Sequence, residues 1–259
     1  MADGVVRAVF EVDGRLELTE ARQWPSGALA LRAPSDQGLE RLRFSLAVDD
    51  DHSPFLDRFA RDPLLARSVR RFAGLRPSRC GTVAQALLRA LCGQLIAAHR
   101  ARTDEWKVID AVSPRVPGTR LYAPPTRERL AALGPAQLRA LGLGTRRGSA
   151  LVRLCRSLDL ERLRSLPTDA VARRLERERG LGPWSVGLIC LEGLGRYERG
   201  LVGDLGLIKL CSALRGRSVE AWETAELLEP YGQWAGLASV YLLAGFRQGL
   251  IPLPRRLAA

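Results

Sequence analysis

Lysine is almost missing from this chain: Lys107 and Lys209 are the only two among 40 basic residues, and the rest are arginine. Histidine is as scarce, with His52 and His99 alone and far apart, which excludes a histidine-built metal centre. The five cysteines (Cys80, Cys92, Cys155, Cys190 and Cys211) are odd in number and widely spaced. They form neither a C-x2-C zinc pair nor an iron–sulfur run, and are expected as buried thiols in a reducing compartment. Every long apolar run is interrupted by charge well before the roughly 20 residues a membrane span needs. The start, Met1-Ala2-Asp3-Gly4, has neither the basic residues nor the apolar core of a signal peptide. A cytoplasmic protein without membrane contact is expected.

What is present is an ordinary globular balance and an unusual charge. Of 259 residues, 46% are apolar and 26% charged, enough to bury a core and too apolar for disorder. The length predicts one or two domains. The net charge is +12 and the isoelectric point about 10.6. A GC-rich coding sequence accounts for arginine in place of lysine but not for the excess of positive charge. That excess points to a polyanion, most often nucleic acid.

The patterning changes near residue 53. Val5–Val12, Arg15–Thr19, Ala28–Ala33 and Leu42–Val48 are short alternating or β-branched runs. Asp13-Gly14 and Pro25-Ser26-Gly27 separate the earlier ones, so residues 1–53 are predicted as a small antiparallel β region. From Pro54 the apolar spacing is helical, with about nine or ten helices expected over 54–259 in two lobes. Thr82 is placed to cap an apolar helix, and Thr126 another. The expected class is α+β, mostly α.

Gly180-Leu181-Gly182-Pro183-Trp184 lies between two helical patterns, at about 168–196. Two glycines around one apolar residue allow a tight turn. Pro183 suits the first helical position, where the free N–H groups of the helix start favour an anion. Such a hairpin holds a phosphate and carries no sequence information; an ordinary turn between helices is the plainer alternative. Asp204, in Val202-Gly203-Asp204-Leu205-Gly206, opens another helical pattern. It is either a plain N-cap or a carboxylate facing a ligand.

With these two segments together, the chain resembles the helix-hairpin-helix DNA glycosylases, and most closely their 3-methyladenine DNA glycosylase II family. Leu91-Cys92-Gly93-Gln94-Leu95-Ile96, Leu121-Tyr122-Ala123-Pro124-Pro125-Thr126, Leu141-Gly142-Leu143-Gly144-Thr145-Arg146-Arg147 and Tyr231-Gly232-Gln233-Trp234 resemble further family segments in the same order. The resemblance implies a monofunctional enzyme that flips alkylated purines such as 3-methyladenine or 7-methylguanine out of duplex DNA. It would hydrolyse the N-glycosidic bond and leave an abasic site in base excision repair. It further implies Asp204 as the catalytic carboxylate, and Trp184, Trp234 and Leu188 in the base pocket. Leu95 would be the DNA wedge with Gln94 beside it, and Gly180, Leu181, Gly182 and Pro183 the phosphate-binding hairpin. No cofactor is required; a monovalent cation on hairpin main-chain carbonyls is a family feature without any side-chain signature. The partner is double-stranded DNA, the expected location is the cytoplasm at the nucleoid, and the expected state is a monomer.

Three positions depart from the family pattern. Glu178-Arg179 stand where Leu-Pro is usual, Leu188 stands where a pocket tyrosine is common, and Trp184 stands where lyase members carry lysine. Without an amine there, Schiff-base strand cleavage is not expected. Two alternatives remain open: a non-catalytic DNA-binding module of the same fold, and a glycosylase for other damaged or mispaired bases.

Overall fold

A computed structural model describes residues 4–94 and 96–254. The Asp13-Gly14 turn, both residues at positive φ (48° and 75°), reverses β1 (Val5–Val12) into β2 (Arg15–Gln23). β3 (Leu29–Arg32) completes a three-stranded antiparallel sheet in the order β1-β2-β3. The register pairs Val9 with Leu18 and Ala21 with Leu31. One face buries Phe10, Val12 and Ala21 against Leu42.

The run at Leu42–Val48, expected as a strand, is instead the end of a helix and the turn that follows it. α1 (Asp36–Ser45) starts where the Ser35 hydroxyl accepts the Gly38 amide at 3.0 Å. Gly38 and Leu42, four apart, are its buried residues. A serine cap and an acidic first turn outweigh an alternation that covered only a few residues.

The remaining helices are α2 (Ser53–Arg58), α3 (Ala66–Arg71), α4 (Val83–Gly93), α5 (Ala98–Val112), α6 (Arg127–Ala131), α7 (Pro135–Ala140) and α8 (Thr145–Ser157). They continue as α9 (Thr168–Glu176), α10 (Pro183–Leu188), α11 (Leu205–Arg215), α12 (Glu223–Leu228) and α13 (Ala235–Arg247). The architecture is the expected one, mostly helical with a small N-terminal sheet. The helices outnumber the nine or ten expected, because pieces of six residues such as α2 and α3 are too short to show separate periods. Thr82 and Thr126 cap α4 and α6 as expected, accepting the amides of Gln85 and Arg129. Among the described residues no helix is long and apolar enough to cross a membrane.

The chain folds into two compact units. The first joins the residues up to Asp49 to Ser78–Leu166. In it α4 is the central helix, with Val83, Leu87, Leu88 and Leu91 at most 1% exposed. Arg129 of α6 ties the sheet in through Glu11, at 2.6 Å. That contact holds the Glu11 carboxyl below the usual carboxylate range. The second unit joins Asp50–Pro77 to the chain from Pro167 onward. It closes around Phe55, Val171, Leu207, Leu237 and Tyr241, all fully buried. The Tyr241 hydroxyl donates to the Phe72 carbonyl at 2.9 Å, and burial pushes its acidity to about 12.

Candidate active site

In the second unit, α9 ends at Glu176 and the chain turns through 177–182 into α10. Gly180 sits at φ 98°, a conformation that favours glycine. Leu181, only 7% exposed, anchors the turn from inside, and its amide reaches the Glu178 carbonyl at 3.1 Å. Gly180, Gly182 and Pro183 face solvent. Gly182 is the N-cap of α10 and Pro183 its first residue, so the cap has no side chain to satisfy the first amides. A Cβ on Gly182 would meet nothing within 4 Å, leaving open space over the helix start. A single π-turn (Ile189–Gly193) prolongs α10.

Asp204 is the N-cap of α11. Its Oδ1 accepts the amides of Gly206 at 2.7 Å and Leu207 at 3.3 Å. Its Oδ2 accepts the Trp184 indole N–H at 3.1 Å. The two residues that sequence placed at the hairpin and at the cap, 20 positions apart, are therefore joined directly. Ordinary capping needs only one carboxylate oxygen. Here the second is held as well, and the half-buried carboxylate has a fixed orientation.

Three residues that sequence reasoning missed make this arrangement possible. Gly187 of α10 lets the helix press against the chain before Asp204; a Cβ there would lie 2.3 Å from the Gly200 carbonyl oxygen. Ser239 of α13 accepts the Leu201 amide at 3.1 Å, and Thr224 accepts the Gly203 amide at 2.7 Å. A glycine inside a helical pattern was a visible signal for the first. A serine in an apolar helix and a threonine in a short one gave none.

Trp234 lies elsewhere in the same unit. Its ring stacks on Tyr197 at 6.0 Å and meets Phe55 at 5.9 Å. The Tyr197 hydroxyl donates to the Asp50 carboxylate and lies 2.9 Å from His52 Nε2. No ring contact joins Trp234 to Trp184 among the described residues. Leu188 is 6% exposed, packed on the inner side of α10. Gln94, in the first unit, is the residue where α4 ends, with extended backbone (φ −62°, ψ 117°). The turn before it is held by Arg147, which donates to the Cys92 carbonyl at 3.0 Å. Leu95 lies outside the described residues.

The described cysteines are all buried, and none forms a disulfide. Burial pushes the thiols of Cys155 and Cys190 up to about 12, so neither is a nucleophile at neutral pH. The described residues contain no group of three or more His, Cys, Asp or Glu fit for a metal. A cavity of about 690 Å³ in the first unit is lined by Glu11, Arg41, Phe44, Arg127 and Arg164 among others, and by none of the candidate site residues. Several of its charges already neutralise one another (Arg127 with Glu128, Arg164 with Glu161), so volume alone does not mark the reactive place.

No family model matches the chain. Known proteins do. A DNA-3-methyladenine glycosylase of Bacillus subtilis is 26% identical over 204 residues, covering 75% of this chain and 67% of that one. A probable bifunctional transcriptional activator/DNA repair enzyme AlkA of Mycobacterium tuberculosis is 24% identical over 75% of this chain, which spans only 43% of its length. Among solved structures, a 3-methyladenine DNA-glycosylase of Archaeoglobus fulgidus superposes with a TM-score of 0.84 at 21% identity, covering 96% of this chain and 89% of that one. An 8-oxoguanine glycosylase/lyase of Clostridium acetobutylicum, bound to DNA, superposes with 0.78 at 19% identity over 95% and 86%. The hairpin, the capped carboxylate and the small sheet are thus set in the fold of the helix-hairpin-helix DNA glycosylases. Within that class, the chain is similar to the 3-methyladenine DNA glycosylases in sequence as well as in fold.

Proposed function

We propose that this protein is a monofunctional DNA glycosylase that removes alkylated purines from duplex DNA. The observation that carries the reading is the Asp204 carboxylate, fixed by two amides and by the Trp184 indole at the end of the hairpin. A stacked base is out of reach, and flipping it out costs a few kcal/mol. Gln94, where α4 ends, and Leu95, next in the sequence, are proposed to fill the space it vacates and so offset that cost. The exposed turn Gly180–Pro183 would hold a backbone phosphate next to the lesion by its amides.

A purine methylated at N3 or N7 is cationic and leaves without a general acid. The sugar then gains positive charge as the N-glycosidic bond lengthens, and a carboxylate on its far face stabilises that charge and orients water. Asp204 supplies this group. Water adds to the sugar carbon and gives up a proton to the Asp204 carboxylate, the cationic base leaves with the bonding pair and so becomes neutral, and the strand stays intact. Trp184 would present an electron-rich ring to the cationic base, with Leu188 behind it; Trp234 is proposed to enclose the pocket farther out. A monovalent cation, where bound, would rest on hairpin main-chain oxygens and add positive charge beside the phosphate. Two of those carbonyls, on Glu178 and Gly182, already accept amides.

Base release from duplex DNA carrying methylated purines, with light-scattering on the same sample for the expected monomer, tests the reading. Trp184→Phe keeps an aromatic ring and removes the N–H. Base release is expected to fall about tenfold with little change in DNA affinity, since one charge-assisted hydrogen bond is lost. Borohydride is expected to trap no protein–DNA adduct, and the abasic strand should break only after alkali. A trapped adduct would show an amine nucleophile and overturn the monofunctional reading.

A further inference from the structure

α5 sorts its charges by side. Its acids Asp104 and Glu105 are turned inward, at 5% and 6% exposure. Glu105 is bound to Arg89 at 3.1 Å, and Asp104 packs over Gly142 with Lys107 3.9 Å away. Outward, four and three residues apart, lie His99, Arg102, Thr103 and Trp106. Trp106 is 47% exposed, and its ring meets Tyr122 edge-on at 6.3 Å. The Tyr122 hydroxyl donates to Asp110, which occupies the one outward carboxylate of this helix. Arg115 is the bridge partner of Tyr122, so its side chain stands beside that ring. The guanidinium groups of Arg102 and Arg115 make no ion pair or hydrogen bond among the described residues.

We propose that this patch binds single-stranded DNA. A lone exposed tryptophan is common on protein surfaces. Here a half-exposed indole is framed by two arginines that pair with no acid among the described residues. Duplex phosphates would need the arginines alone, whereas the half-exposed ring has a use only for an unpaired base, which stacks on it while the arginines take the flanking phosphates. The proposal is independent of base excision and would let the protein hold the unpaired flank of a gapped or frayed duplex.

The test is binding of a fluorescein-labelled oligothymidylate to the full-length protein. Trp106→Ala is expected to weaken it about tenfold, the scale of one lost base stack. The double variant Arg102→Ala/Arg115→Ala should reduce the slope of log affinity against log salt by about 1.4, from two phosphates at ~0.7 each. Both variants change exposed side chains and should melt like the wild type. Both should release alkylated base from blunt duplex at the wild-type rate. Unchanged oligothymidylate affinity in Trp106→Ala would overturn the proposal, as would an equal loss on blunt duplex, which would make the patch part of the duplex surface. Failure of the wild type to release any base would overturn the glycosylase reading and leave this one standing.

Discussion

Asp204→Asn is expected to lose base release by a factor of a hundred or more while binding duplex DNA as tightly as the wild type, or more tightly. Asparagine keeps an oxygen for the Gly206 and Leu207 amides, so the N-cap and α11 survive. What disappears is the negative charge proposed to lie opposite the sugar, and electrostatic groups of this kind are each worth about 3–4 kcal/mol in the transition state. Removing a carboxylate from a surface that meets a polyanion lowers repulsion, hence the equal or higher affinity. Single-turnover release of methylated purine, alongside anisotropy on the same duplex, separates the two effects. A binding module without chemistry would show the affinity change and no release from either protein. Wild-type release that survives in the variant would remove Asp204 from the reaction.

The second large effect is expected at Gly187, a buried position on α10 three residues beyond Trp184. A methyl group there would lie 2.3 Å from the Gly200 carbonyl oxygen, and no side chain is available to yield. Either α10 or the chain at 200–201 must shift. Gly187→Ala should therefore lose about 3 kcal/mol of stability, the upper range for overpacking a tight core, and roughly 6–12 °C in melting temperature. The folded fraction should also release base slowly, because the shift pulls Trp184 away from Asp204. Val186→Ala, at a buried position on the same helix, is the comparison for helix packing alone. Melting and base release at a temperature where both variants are folded would check it; an unaltered rate in Gly187→Ala would mean that the Trp184 bond does not matter.

The fold was legible where the sequence used strong local chemistry. The Asp13-Gly14 turn, the Thr82 and Thr126 caps, the Gly-Leu-Gly-Pro hairpin and the capping Asp204 each have a residue type whose backbone demands are narrow, and each lies where expected. Leu42–Val48 misled because a stretch of seven residues with Arg43 and Ser45 between apolar ones fits either period, and the deciding Ser35 cap lies outside it. The site was legible in its members but not in its connections. Nothing in the spacing of Trp184 and Asp204 says that the indole N–H reaches the carboxylate. That contact depends on Gly187, Thr224 and Ser239, whose roles arise from long-range packing. For the same reason Trp234 was foreseen without its neighbours Tyr197, His52 and Asp50, which come from distant parts of the chain.

The second unit is assembled from two stretches separated by the whole of residues 78–166. During synthesis, α2 and α3 emerge early with Phe55, Phe59, Leu65 and Val69 and have nothing to cover them. Their cover includes Tyr241, whose hydroxyl binds a carbonyl 169 residues upstream. At ribosomal rates that is a wait of about ten to thirty seconds. The early segment is thus a natural client for chaperones that shield apolar nascent chain, and truncation before α13 should yield a sticky product rather than a smaller enzyme.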